Sequence, residues 1–132
     1  MIDVLIVDDH PVMRELLRQI LKTYADVLVA AEVANGEDAV TQVTIVQPAI
    51  ALVDVHLPKM SGIQTTKLIR INSPRTAVIG LTAGEPDHHD MEMIAAGASA
   101  VINKADVVGS LYPTILRTLK KCQYGDLSVP LS

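Results

Sequence analysis

Asp8-Asp9, Asp54, Thr82 and Lys104 are the residues of this chain whose types could act together on one substrate. Each follows a short aliphatic run: Val4–Val7 leads to the acidic pair, Ile50–Val53 to Asp54, Ala77–Leu81 to Thr82, and Ala100–Ile102 nearly to Lys104. Taken singly they are ordinary. An Asp-Asp pair commonly opens a helix or turn, a threonine suits a strand, and a lone lysine is a solvated loop charge. Together they fall on successive strand ends, which a random scatter of polar residues would not do. In open α/β sheets ligands bind outside the carboxyl ends of the strands, where the strand order reverses.

The charge balance narrows the chemistry. Two carboxylates ~5 Å apart repel by about 3 kcal/mol at an effective dielectric of ~20. Three together need protonation or a cation among them, and Lys104 offsets only one. A hard divalent cation with oxygen ligands completes such a set. Mg²⁺ fits because it retains waters and accepts a phosphate oxygen. A naked phosphate dianion would be repelled by Asp8-Asp9, so the pocket suits a metal and a phosphoryl group together. The roles follow from phosphoryl-transfer chemistry. Asp54 is the nucleophile, Asp9 holds the metal with Asp8 acting through water, Lys104 pairs with a phosphoryl oxygen, and Thr82 hydrogen-bonds another after transfer. The acyl phosphate so formed is labile, a timed mark.

The elements that must position these residues are legible as alternation. Strand-length runs at Val4–Val7, Leu28–Val33, Ile50–Val53, Ala77–Leu81 and Ala100–Ile102 are separated by helix-length amphipathic stretches. Four of the runs are nearly continuous, as in parallel strands covered on both faces. The second is mixed and includes Glu32, an edge-strand pattern. In the first helix Met13, Leu16, Leu17, Ile20 and Leu21 form one stripe, with Arg14, Glu15, Arg18 and Lys22 facing out. Pro11 suits its first turn. Asn35-Gly36 and Gly62 open the second and third helices, Gly97 stops the fourth, and Asp106 is a candidate N-cap for the last, over Val107–Cys122. Five strand–helix repeats predict an α/β doubly wound parallel sheet of order 2-1-3-4-5. Residues 1–122 form one domain, and Gln123 to Ser132 is expected as a frayed end or linker stub.

With 132 residues, 49% of them hydrophobic, the chain can bury one core. Three Tyr and no Phe or Trp make that core aliphatic and argue against RNA or single-strand binders that stack bases on aromatics. A net charge of −4 and the lack of a basic stripe argue against direct nucleic-acid binding. One cysteine, Cys122, fits a reducing compartment. The lack of a basic amino-terminal region or long apolar run predicts a cytoplasmic protein with no membrane span.

Val-Asp-Asp-His-Pro (7–11), Val-Asp-Val-His-Leu-Pro-Lys-Met-Ser-Gly (53–62), Leu-Thr-Ala (81–83), Ala-Gly-Ala (96–98) and Lys104, in this order, resemble bacterial two-component receiver domains over about Ile2 to Cys122. The resemblance implies a flavodoxin-like receiver fold, with Asp54 as phosphoacceptor and Asp8, Asp9 and the backbone carbonyl of His56 joining it around Mg²⁺. It makes Thr82 the switch hydroxyl and Lys104 the family's lysine. It implies a phosphohistidine donor on a sensor histidine kinase or phosphotransfer protein. Asp-Asp-His-Pro before an Arg-containing helix, and Lys104 not followed by Pro, look most like LuxR-type (NarL/FixJ) regulators. Those usually carry a C-terminal helix-turn-helix domain. The chain stops short of one, so the expectation is either a shortened piece missing its DNA-binding domain or a stand-alone receiver. A homodimer through the fourth and fifth helices, or through the first and fifth, is also expected.

This sequence departs from the family at Val101, where an aromatic usually stands three residues before the lysine. The expectation is a conformational response that is smaller or differently routed. His56 and Gly84 flank the path of an attacking water, so autodephosphorylation is expected to be unusual in rate. The competing reading is a pseudo-receiver, an interaction module independent of phosphorylation; the complete acidic set opposes it. A haloacid-dehalogenase-like phosphatase would want a second Asp where His56 stands, and a flavodoxin-like cofactor binder a Ser/Thr/Gly-rich first loop. His88-His89-Asp90 reads as an exposed helix start in preference to a metal site, because adjacent helical positions diverge. His10 reads as a loop residue, Met91 and Met93 as core filler, and Cys122 as inert.

Overall fold

The structure is a computed structural model that describes residues 1–128, with side chains through Cys122. Five strands alternate with five α-helices: β1 (Ile2–Val7), α1 (Pro11–Lys22), β2 (Val27–Val33), α2 (Gly36–Val46), β3 (Ile50–Asp54), α3 (Gly62–Asn72), β4 (Ala77–Thr82), α4 (His88–Ala95), β5 (Ala98–Asn103) and α5 (Val107–Ser128). All pair in parallel, in the order β2-β1-β3-β4-β5. The predicted doubly wound sheet is therefore observed.

Alternation within the strands sorts the core into two layers. Val4, Ile6, Ile50, Leu52, Ile79 and Leu81 pack under Leu17 and Leu21 of α1 and Leu111 and Ile115 of α5. Leu5, Val7, Ala51, Val53 and Val78 face the other way, against Ala39 and Val43 of α2, Ile69 of α3 and Met93 of α4. A strand apolar at every position fits only between two helical layers, which is why β1, β3 and β4 are central. Tyr24 and Tyr112 stack at 3.7 Å, and the Tyr112 hydroxyl donates to Asp26 at 2.8 Å, tying α5 to the loop after α1.

Several local expectations are corrected. Besides β2, β5 is an edge strand with a mixed burial pattern, although its sequence is nearly all apolar. Arg14 does not face out, and Arg18, though its side chain is 41% exposed, bends toward Glu32. Arg14 donates to the Asp8 carbonyl at 2.6 Å, and Arg18 Nε to Glu32 at 2.6 Å, so both fold over the β2 edge. Leu16, assigned to the apolar stripe, is exposed. Of the two methionines Met93 is fully buried, whereas Met91 is exposed. Asp106 ends a 3₁₀ turn (Lys104–Asp106), and Asn103 supplies the cap, accepting from the Ala105 N–H at 2.9 Å. The last helix runs past Cys122 to Ser128, where a frayed tail was expected; residues 129–132 of that tail lie outside the described residues. Asn35 caps α2 as anticipated, and Gly97 (φ 118°) follows α4 in the left-handed region that favours glycine. Among the described residues, no helix is long and apolar enough to cross a membrane.

Gly62 brings α3 hard against the end of β3. Its N–H donates to the Val55 carbonyl at 3.0 Å, and a Cβ there would lie 2.1 Å from the Asp54 carbonyl oxygen and 2.6 Å from Val55 Cα. Those are backbone atoms and cannot swing aside. Gly109, in α5, has nothing within 4 Å of such a Cβ. Gly62→Ala is expected to lower unfolding free energy in urea by about 2–4 kcal/mol. Gly109→Ala should raise it by about 0.5–1 kcal/mol.

Candidate functional site

The carboxyl ends of β1, β3 and β4 and the residues just past β5 carry the polar groups expected there. Asp54 is the last residue of β3 and pairs in register with Leu81, so Thr82 is the next residue along the neighbouring strand. Thr82 itself pairs with Asn103, which places Lys104 immediately beyond. Asp8 follows β1 and is fully buried; Asp54 is nearly so, at 2% exposure, and Thr82 is also buried.

The geometry brings Asp8, Asp9, Asp54 and Lys104 together. Lys104 Nζ lies 2.9 Å from Asp8 Oδ2 and 3.2 Å from Asp54 Oδ2, an ammonium bridging two buried carboxylates. Asp54 Oδ1 accepts from the His56 N–H at 3.0 Å, which fixes the carboxylate plane. Ligand atoms of Asp8, Asp9, His10 and Asp54 all lie within 4.8 Å of one another. Burial pushes the Asp54 carboxyl above its ordinary range. The His56 N–H and the Lys104 charge pull it back, and neighbouring Asp8 adds to the rise. For Lys104, burial alone would lower the pKa, but Asp8 and Asp54 more than offset that and leave it raised.

His10, read from the sequence as a loop residue, and Arg14 both reach the acidic cluster. The His10 N–H donates to Asp8 Oδ1 at 2.8 Å, while its Nδ1 sits 2.9 Å from Asp8 Oδ1, 3.2 Å from Asp9 Oδ1 and 3.6 Å from Asp54 Oδ2. The ring thus caps the point where the acids converge. The signal was its position, two residues after a buried acid in a tight strand-to-helix turn. Arg14 had the same kind of signal, being one turn into the helix that starts beneath that acid.

A divalent cation fits this set. Asp9 Oδ1 is buried and has no hydrogen-bond partner among the described residues. Three carboxylates face one ammonium, and the acidic side chains offer hard oxygen donors of the kind Mg²⁺ prefers. His56 contributes its backbone N–H to Asp54, while its exposed side chain stands apart from the acids, edge-on to His89. A groove lined by Arg70, Arg75, Arg117 and Lys121 lies by the amino ends of β4 and β5, away from this chemistry.

Comparison with known proteins identifies the family and the fold. Residues 4–112 match the response regulator receiver domain. The chain is 35% identical over 113 residues to a protein-glutamate methylesterase/protein-glutamine glutaminase of Nitrosospira multiformis, a match covering 83% of this chain and 31% of that protein. It is 34% identical over 135 residues to the transcriptional regulatory protein YdfI of Bacillus subtilis, covering 92% of this chain and 63% of YdfI. The chain thus spans about a third of the first relative and less than two thirds of the second. Among solved structures, the response regulator domain of Thermotoga maritima CheB superposes with a TM-score of 0.84 at 26% identity, covering 91% of this chain and 97% of that one. A LuxR-family two-component response regulator from Aurantimonas gives a TM-score of 0.84 at 27% identity, covering 89% and 84%.

The His10 ring faces the same carboxylate oxygens that an oxygen-preferring cation such as Mg²⁺ would take. One such contact is worth about 1 kcal/mol, so His10→Ala should bind Mg²⁺ about fivefold more tightly by calorimetry. Weaker binding would make His10 a ligand instead of a competitor.

Proposed function

Since the chain belongs to the response regulator receiver family, the phosphoacceptor signalling domains of two-component systems, we propose that Asp54 is its phosphoacceptor. The observation that carries this reading is the buried Asp54 carboxylate, held by Lys104 at 3.2 Å and the His56 N–H at 3.0 Å beside two further acids. Its donor is a phosphohistidine on a sensor histidine kinase or a phosphotransfer protein. An Asp54 oxygen attacks phosphorus while the bond to the donor nitrogen breaks, and the electron pair leaves with the imidazole. Burial disfavours the ionised nucleophile, and Lys104 and the His56 amide offset that only in part, leaving the carboxyl above its ordinary range. Lys104 then pairs with a phosphoryl oxygen, and Thr82 donates its hydroxyl to another. Asp8, Asp9, Asp54 and the His56 carbonyl would hold Mg²⁺, which supplies neutralisation of charge on the transferring group.

The receiver unit is residues 1–122, and the continuation of α5 to Ser128 supports a linker that starts as helix. Output runs through segments that the relatives carry beyond this region, a DNA-binding domain in the LuxR-type reading, with the protein working in the cytoplasm as a homodimer. The mark decays by slow autodephosphorylation, with His56 and Gly84 flanking the water's path. Val101 packs partly buried against the α2–α3–α4 layer, where an aromatic ring would swing inward, so the outer-face response is small.

Acetyl phosphate with Mg²⁺ should add one phosphoryl mass to the intact chain, and Asp54→Asn should abolish the gain. In the phosphorylated sample, backbone shift changes should be large at Thr82 and small at Val101. No mass gain from acetyl phosphate or any kinase would remove the phosphoacceptor reading.

A further inference from the structure

We propose that His56, Asp87 and His89 form a second cation site, for a divalent transition metal of the zinc class, on the rim above Asp54. Their ligand atoms all lie within 4.8 Å of one another. Two of the residues belong to the start of α4 and the third to the loop after β3, elements that sequence order keeps apart. His89 Nδ1 lies 3.1 Å from Asp87 Oδ1, and the His56 and His89 rings meet edge-on, 5.0 Å apart at 78°.

The donor set selects the metal. Two imidazoles and one carboxylate, with a fourth position open to solvent, are a zinc-type set. The pocket below, with three carboxylates to one imidazole, is richer in oxygen donors and suits Mg²⁺. The two sites are thus sorted by chemistry, so one ion need not exclude the other. Donors around a tetrahedral zinc stand about 3.3 Å apart. His56 and Asp87 are exposed and His89 is partly so, which leaves the side chains room to adjust toward that spacing.

Asp87 is already oriented. It caps α4, accepting the His89 N–H at 2.8 Å, and its negative charge offsets the positive end of the helix, which would otherwise disfavour a cation. The preceding loop is anchored where Asn103 donates to the Gly84 carbonyl at 2.7 Å. His88 Nε2 lies 3.6 Å from Glu92 on the following turn. Its ring leans on that of His89, with centroids 4.2 Å apart, so the adjacent side chains do not diverge, yet His88 is not among the ligand atoms that converge. The site arises because His56 supplies the partner that His88 cannot. An ion held there would tie the loop after β3 to the start of α4, the two sides of the Asp54 mouth. This assignment stands independently of whether Asp54 is phosphorylated.

The test is calorimetric titration of Zn²⁺ into the full chain at neutral pH with excess Mg²⁺, in a Cys122→Ser background because Cys122 is an exposed free thiol. One saturable Zn²⁺ per chain is expected. His56→Ala and His89→Ala should each weaken it about tenfold or more, while His88→Ala and Asp8→Asn leave it unchanged. Thermal melts confirm that the surface variants remain folded. Absence of saturable binding overturns the proposal. So does binding that survives the His56→Ala/His89→Ala double variant and disappears in Asp8→Asn, which would place the ion with His10 in the acidic pocket.

Discussion

Three carboxylates converge at the carboxyl edge of this sheet, and Lys104 is the ammonium that meets two of them, Asp8 at 2.9 Å and Asp54 at 3.2 Å. Two carboxylates whose oxygens lie within 4.8 Å of each other repel by about 3 kcal/mol at an effective dielectric of ~20. A domain of this size is stable by only about 5–15 kcal/mol. The repulsion is therefore large enough to matter to folding, and the rest of the molecule is arranged around containing it. Lys104 offsets part of it, and a divalent cation would offset the rest.

The fold makes the convergence unavoidable. Parallel strands all end on one edge, and the order β2-β1-β3-β4-β5 puts β1 beside β3, so Asp8 and Asp54 are neighbours by topology. The strands themselves are held by aliphatic layers on both faces, which leaves their ends rigid. Gly62 lets α3 close against the Asp54 carbonyl, and the His56 N–H orients the acid from the same loop. Arg14 ties α1 to the Asp8 carbonyl. Strain from like charges is thus borne by backbone that has little freedom to relax.

Much of this was legible in the chain itself, because period and punctuation encode elements and their order. The strand runs and the glycines at positions 36, 62 and 97 located the elements, and strand-end polar residues located the pocket. What was not legible depends on contacts between segments distant in sequence or on side-chain direction. β5 reads as a buried run, yet topology leaves it at an edge. Arg14 and Arg18 look like solvent-facing charges until Glu32 and the Asp8 carbonyl are placed beside them. His10 looked incidental because no local pattern says that its ring turns back over the acids. His89 was set aside on the reasoning that adjacent helical histidines diverge, yet its ring lies beside those of both His88 and His56.

The account rests on the claim that ionised Asp54 is a burden on the folded protein until a cation arrives. Burial, joined by Asp8, raises its carboxyl pKa in the fold. A raised pKa means the contribution to stability is complete below the ordinary carboxylate range and is lost as pH rises through the folded-state value. The direct measurement is urea unfolding of the native chain and Asp54→Asn, in EDTA and in Mg²⁺, from acid to neutral pH. In EDTA at neutral pH the variant should be the more stable of the two. That gap should close toward acid, and Mg²⁺ should close it at neutral pH. A native chain as stable as, or more stable than, Asp54→Asn at neutral pH without Mg²⁺ would contradict the account.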